Sequence, residues 1–237
     1  DVNGYASAAT ITFLQINHDL NATYTTNISD DLGSPTQVGY SVQYEKNDYA
    51  MMQGRGLSPF ISVVKSAITQ LPSADERSEL SVSGGYVQQN FRYRNHIFLT
   101  GAVRLDGSSV FSPEQRNQVY AKASGSYVVS STDYWSKLNV DNWWDLLKFR
   151  MAYGQSGNLT GIGAFSRFNT YTSNAFIGKL AMNSKGVLVD EDIKPERQDE
   201  IEFGMDLAFL NNRIGLQANY YYKKVKDLLF SRVIAPT

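Results

Sequence analysis

The feature that most constrains this 237-residue chain is a strict two-residue alternation of side-chain type, sustained over segment after segment. It is clearest between Gln89 and Ser131. After a tight polar turn past Tyr93, Ile97, Leu99, Gly101, Val103 and Leu105 share one phase, while Phe98, Thr100, Ala102, Arg104 and Asp106 share the other. Beyond a long polar loop, Val119, Ala121, Ala123, Tyr127 and Val129 alternate with Tyr120, Lys122, Ser124, Ser126 and Ser130. Successive side chains of a strand point to opposite sides, so such segments build a sheet with one oily and one wet face. Whether the oily face meets a protein core or lipid decides everything that follows.

The same reading predicts eight strands, at about 10–28, 37–54, 79–93, 96–106, 118–130, 146–155, 201–209 and 214–222. The first could instead be split by a turn at Asn17–Asp19. The last two form a hairpin across Asn211-Asn212. Between residues 57 and 78, Phe60, Val63, Val64, Ala67, Ile68 and Leu71 follow helical spacing up to Pro72, which predicts a short helix inside a long loop. Residues 131–145 form a connection holding all three tryptophans, and 156–197 form a long irregular stretch.

Connection lengths are sorted. Those at 29–36, 94–95 and 211–212 are short, and those at 56–78, 107–117 and 156–197 are long. Along an up-and-down meander the short ones fall on one rim and the long ones on the other; only 131–145 breaks the rule. That is the layout of an antiparallel outer-membrane β-barrel. Lys122, Lys148, Arg150, Glu202, Asp206 and Lys223 all lie in the polar phase, the phase that would face a barrel lumen. Hydrocarbon would demand this, but a sandwich core would exclude the charges too. In this topology both ends lie on the long-loop side, and the closing SRVIAPT is no aromatic-ended strand; the expectation is therefore a segment of a larger barrel.

Composition adds limits. A formal charge of −1 offers no basic footprint for nucleic acid, and with no cysteine there is neither a disulfide framework nor a thiolate metal site. No run approaches the ~20 apolar residues of a membrane helix, which says nothing against barrel strands. The N-terminal DVNGYASAAT lacks a basic flank and an apolar core, so any export signal is expected upstream or already removed.

Several stretches carry a family resemblance: RNHIFLTGAVRLDGSSVF; LLKFRMAYGQSGN; IKPERQDEIEFGMDLAFLNNRIGLQANYYYKKVKDLL; and LNATYTTNISDDLGSPTQVGYSVQYEKNDYAMMQGRGL. In this order, over most of the chain, they resemble the SusC/RagA family of TonB-dependent outer-membrane transporters of Bacteroidetes. The resemblance implies a barrel of about 22 strands filled by an N-terminal plug, of which residues 1–237 would be part of the barrel domain. It further implies a Gram-negative outer-membrane location, a SusD-like surface lipoprotein as lid, and import of glycan fragments or oligopeptides driven by the TonB complex. The plug and the TonB-contacting segment have no counterpart among these residues.

The candidate site follows from this placement. Arg104, Asp106, Ser108, Ser109 and Arg116 flank the loop opened by Asp-Gly-Ser-Ser and are candidates for substrate-path or lid contact; the alternative is a turn bonded to its own backbone. Lys122, Lys148, Arg150, Glu202 and Asp206 are candidate lumen-facing groups. Trp135, Trp143 and Trp144 are candidate membrane-interface aromatics, with an anchor for a short helix as the alternative for one of them. Phe165, Phe168 and Tyr171 suit either sugar stacking or loop packing. Asp190, Glu191 and Asp192 lack calcium-loop spacing, His18 and His96 form no triad, and Ser156-Gly157-Asn158 lacks phosphate-loop context. No enzyme, cofactor or metal is expected. Two rivals remain: a secreted glycan-binding β-sandwich, and a small closed barrel with lipase or adhesin activity.

Overall fold

A computed structural model describes residues 4–140, 142–184 and 188–230. Its strands are β1 (Tyr5–Tyr24), β2 (Asn27–Ser29), β3 (Leu32–Gly33), β4 (Thr36–Arg55), β5 (Thr69–Tyr93), β6 (Ile97–Ser108), β7 (Asn117–Val128), β8 (Trp144–Asn158), β9 (Tyr171–Phe176), β10 (Lys179–Ser184), β11 (Glu196–Phe209) and β12 (Ile214–Lys226). One short helix, α1 (Asp133–Lys137), lies in the connection to β8. The long strands form a single antiparallel meander in the order β1-β4-β5-β6-β7-β8-β11-β12, with β1 and β12 as its edges. A small hairpin, β2–β3, extends the sheet beside the end of β5, and β9–β10 stands apart as a second hairpin.

The eight expected strands are present and the order is sequential. The short turns expected at 94–95 and 211–212 are present, within connections of three residues (94–96) and four (210–213). Arg94 and Asn95 have φ of 45° and 57°, and Asn211 and Asn212 both have φ of 60°. These are type I′ hairpins, whose twist matches the strands they join. The first strand runs unbroken through His18, so the alternative turn at Asn17–Asp19 is absent. The closing SRVIAPT lies outside the described residues.

Two local expectations fail. The helix over 57–78 is reduced to one 3₁₀ turn at Val64–Ser66, and from Thr69 the chain is already β5, paired with β4 as far up as Arg55↔Thr69. Helical spacing needs a surface on which to bury its apolar stripe. Phe60, Val63 and Ile68 find none and are exposed, whereas the β4 ladder satisfies the backbone of 69–78 directly. Pro72, read as a stop, sits inside β5 opposite Met52 where the register shifts, and a bulge tolerates its missing N–H. The irregular stretch 156–197 likewise holds the β9–β10 hairpin, turned at Ile177-Gly178.

Register makes the two faces of the sheet continuous. Across β5, β6, β7 and β8 one face carries the row Phe91, Leu99, Gly125 and Met151; one residue along each strand, Asn90, Thr100, Ser124 and Ala152 carry the other. The oily face is open: Leu99 is 51% exposed, Phe149 47% and Phe203 45%. No second sheet is stacked on it among the described residues, which removes the sandwich rival. The β1 and β12 edges do not pair, so these residues do not close a small barrel either. The apolar cluster that is fully covered lies instead on the polar face. There Val110, Phe111 and Leu159, from the loops after β6 and β8, pack on Leu80 and Val82 of β5 and on Ile162.

Candidate functional site: the polar face of the sheet

The polar face is a lattice of paired side chains. Arg104 donates through Nε to Asp106 Oδ1 and Oδ2 at 2.6 and 2.8 Å, and through Nη2 to Ser41 Oγ at 3.1 Å. Tyr86 donates its hydroxyl to Asn21 Oδ1 at 2.9 Å. Thr100 donates to Asn90 Oδ1 at 2.8 Å. Further along, Arg150 reaches Asp206 Oδ1 at 3.0 Å and Asn219 Oδ1 at 2.9 Å, joining β8, β11 and β12.

Glycine makes these diagonal contacts possible. A Cβ at Gly84 would collide with the Asp106 carboxylate, and one at Gly157 with the Tyr120 hydroxyl. Gly39 serves Tyr86, and Gly204 serves Arg150, in the same way. Each is a socket in one strand across which a long polar side chain of a neighbour lies flat. A glycine inside a strand marks such close approach, and that signal was available in the sequence.

The expected site residues divide. Arg104 and Asp106 are adjacent on the polar face, with Asp106 only 8% exposed. Lys122, Lys148, Arg150, Glu202 and Asp206 share that face by register. Ser108 does not meet the expectation of a contact residue: it is 1% exposed beneath the loop. Ser109 is committed to β5, donating its N–H to the Ser81 carbonyl and accepting the Ser81 N–H at its Oγ, both at 2.9 Å. Neither serine makes the self-bonded turn of the alternative: Ser109 bonds a neighbouring strand, and the Ser108 hydroxyl finds no partner among the described residues. Arg116 is exposed.

The three indoles cluster with Phe209 rather than standing as separate rings. Trp135 and Trp144 meet edge-on at 4.9 Å, and Trp143 stacks on Phe209 at 6.1 Å. Trp143 is half exposed, but Trp135 is 5% exposed and anchors α1, so an exposed interface role fails for that residue. Trp135 is the buried residue of this five-residue helix, which is too short to hold on propensity alone.

At the short-turn rim, Arg94 binds Asp31 at 2.8 Å and ties the β2–β3 turn to the β5–β6 turn; this partner holds the guanidinium above its ordinary range. At the opposite end, the Lys226 ammonium at 2.6 Å and the Gln155 amide at 2.9 Å hold the Asp199 carboxylate below its usual value. Asp190 accepts the Asp192 N–H at 3.0 Å, a local turn in the acidic segment. Sequence reasoning passed over Tyr86, Tyr120 and Gln155, which the strand glycines opposite Tyr86 and Tyr120 could have flagged.

Comparison with known proteins fits this geometry. The family model described as "TonB dependent receptor-like, beta-barrel" matches residues 2–237. TonB-dependent receptor P3 of Formosa agariphila is 28% identical over 204 residues, covering 82% of this chain and 20% of the relative. TonB-dependent receptor SusC of Bacteroides thetaiotaomicron is 26% identical over 148 residues, covering 60% of this chain and 14% of SusC. The chain thus spans about a fifth of the length of such curated relatives. Among solved structures, the RagAB peptide transporter superposes with a TM-score of 0.84 at 19% identity, over 94% of this chain and 25% of that one. The same importer in its open-open state gives 0.79 at 18% identity, a likeness of fold. This chain belongs to the TonB-dependent receptor β-barrel family.

Proposed function

We propose that this chain is a wall segment of an outer-membrane, TonB-dependent nutrient importer of the SusC type. The observation that carries the reading is the split between faces: an unpartnered apolar face on one side, and on the other a face of bonded charges and amides. Hydrocarbon outside and a polar passage inside is the arrangement that accounts for both. The backbone groups at the β1 and β12 edges also demand neighbouring strands, since nothing in a bilayer could satisfy them otherwise.

Gln89 supports the reading. It is a polar side chain on the oily face, yet its Oε1 accepts from Thr36 at 2.6 Å and its Nε2 donates to Ser34 at 2.7 Å, so it presents no free polar group. Lys122, Lys148, Arg150, Glu202 and Asp206 then line the passage. Arg104, Asp106 and Arg116 lie toward its outer mouth, and Trp143 and Trp144 lie at the periplasmic boundary. The solutes would be glycan fragments or oligopeptides, captured with a SusD-like lipoprotein and admitted when the TonB complex pulls a plug lying elsewhere in the protein. No step of this is catalysis.

The test deletes the gene of the complete receptor. It then follows uptake of labelled oligosaccharides and oligopeptides, with and without collapse of the proton-motive force, alongside membrane fractionation. Energy-dependent uptake lost on deletion, with the receptor in the outer membrane, is the expected result. A receptor that fractionates as a soluble protein would end the proposal.

A further inference from the structure

Strands β7 and β8 pair only from Val128↔Lys148 up to Lys122↔Gly154, although β7 begins at Asn117 and β8 continues to Asn158. Above that point the ladder is open. The Gln155 side chain enters the opening and accepts the Ala121 N–H at 3.2 Å, standing in for a lost strand partner. Tyr120 leans across Gly157 in the same gap. The result is a recess of about 330 Å³ on the polar face, lined by Tyr86, Gln88, Arg104, Asp106, Tyr120 and Lys122 among others.

The recess contains unused capacity. Tyr120 is 5% exposed, yet its hydroxyl has no hydrogen-bond partner among the described residues. A buried hydroxyl of that kind is costly unless something arrives to bond it. Arg104 uses Nε on Asp106 and Nη2 on Ser41, leaving Nη1 outside those bonds. Lys122 makes no ion pair among the described residues. Arg104 and Lys122 against Asp106 leave one net positive charge. The vacant groups are donors: an ammonium, a guanidinium N–H and a phenol.

We infer that this recess binds a carboxylate carried by the imported solute; the inference rests on the importer reading, which makes this face the wall of a passage. A single negative charge balances the three charged side chains of the lining, and planar carboxylate oxygens suit the three donors that line it. The group has two natural sources, the α-carboxylate of an oligopeptide and the uronate of an acidic glycan.

The experiment uses the complete receptor in detergent and titration calorimetry with four probes. These are an N-acetylated oligopeptide with a free carboxylate, its C-terminal amide, oligogalacturonate, and the methyl ester of that oligosaccharide. At least one carboxylate form should bind on the order of tenfold more tightly than its neutral partner; which one does identifies the source. Tyr120→Phe should weaken that probe by about the same factor without lowering Tm, because it removes a hydroxyl that bonds nothing in the empty site. Lys122→Gln should weaken it similarly and flatten its salt dependence. The inference is overturned if neither carboxylate outbinds its neutral form, or if Tyr120→Phe leaves affinity unchanged. A lower Tm for Tyr120→Phe would also overturn it, since another part of the receptor would then already hold the hydroxyl. Outer-membrane location and energy-dependent uptake are read separately, so the importer reading survives any of these failures.

Discussion

Phe149→Arg tests directly what the oily face touches. Phe149 is flanked in register by Tyr127 and Met205 and is 47% exposed. Along β8 the chain climbs from Trp144 to Gln155. That is about 36 Å at ~3.3 Å per residue, and about 28 Å of height at a ~40° tilt. Phe149 is near the midpoint, where an arginine facing lipid costs ~2–4 kcal/mol. The folding equilibrium should shift by roughly 30- to 700-fold. Tyr153→Arg, near the upper boundary on the same face, should cost only ~0–1 kcal/mol. Thr100→Arg, on the polar face, forfeits the bond to Asn90, about 1 kcal/mol. Denaturant titration of the intact receptor in phosphatidylcholine vesicles, followed by tryptophan fluorescence, measures all three. If Phe149→Arg costs no more than Thr100→Arg, the oily face is not in hydrocarbon and the reasoning fails.

Other outcomes are fixed by particular contacts. Phe111→Ala removes a 1%-exposed ring from the Val110–Leu159 cluster. It should cost ~3–5 kcal/mol locally, seen as faster amide exchange confined to the loops after β6 and β8. Gly84→Ala should cost about 1–3 kcal/mol alone but much less in a background of Asp106→Ala, because the carboxylate occupies the space a methyl would need; strict additivity in a double-mutant cycle would remove the socket explanation. Because Lys226 holds the Asp199 carboxylate below its ordinary value, the bridge contributes stability above the unfolded pKa of 3.8 and loses it as pH falls through the lower folded value. Lys226→Ala should therefore lower stability at neutral pH, leave the acid end little changed, and so flatten the acid limb of a stability–pH curve. Asp31→Ala should lower stability only slightly, since its bridge to Arg94 is half exposed, and the effect should vanish at high salt.

Much of the architecture was legible beforehand, and the reason is the period of the strand. From Ile97 to Leu105 every second residue is apolar or small, and register then forces that choice on every neighbour. The type I′ turns at Arg94-Asn95 and Asn211-Asn212 were equally plain, because few residues tolerate positive φ at two consecutive positions. The segment 57–78 was misread because Phe60, Val64, Ala67, Ile68 and Leu71 satisfy a helical spacing by chance. Spacing alone does not say whether a surface exists to receive the stripe. Which tryptophan takes the helix-anchor alternative was undecided for the converse reason: whether an aromatic such as Trp135 is covered depends on Trp144 arriving from across the connection.

What the amino-acid sequence determined unaided was one-dimensional: alternation, turn chemistry, loop lengths, and the placing of Lys122, Lys148, Arg150, Glu202, Asp206 and Lys223 in the polar phase. Those properties act between near neighbours, and they suffice for a meander with an oily and a wet side. Pairings between residues remote in the chain were decided only when strands came alongside. Arg104 on Ser41, Tyr86 on Asn21, Arg150 on Asn219 and the vacant hydroxyl of Tyr120 above Gly157 all depend on inter-strand register. Register is a collective property of the whole sheet, and no local pattern contains it.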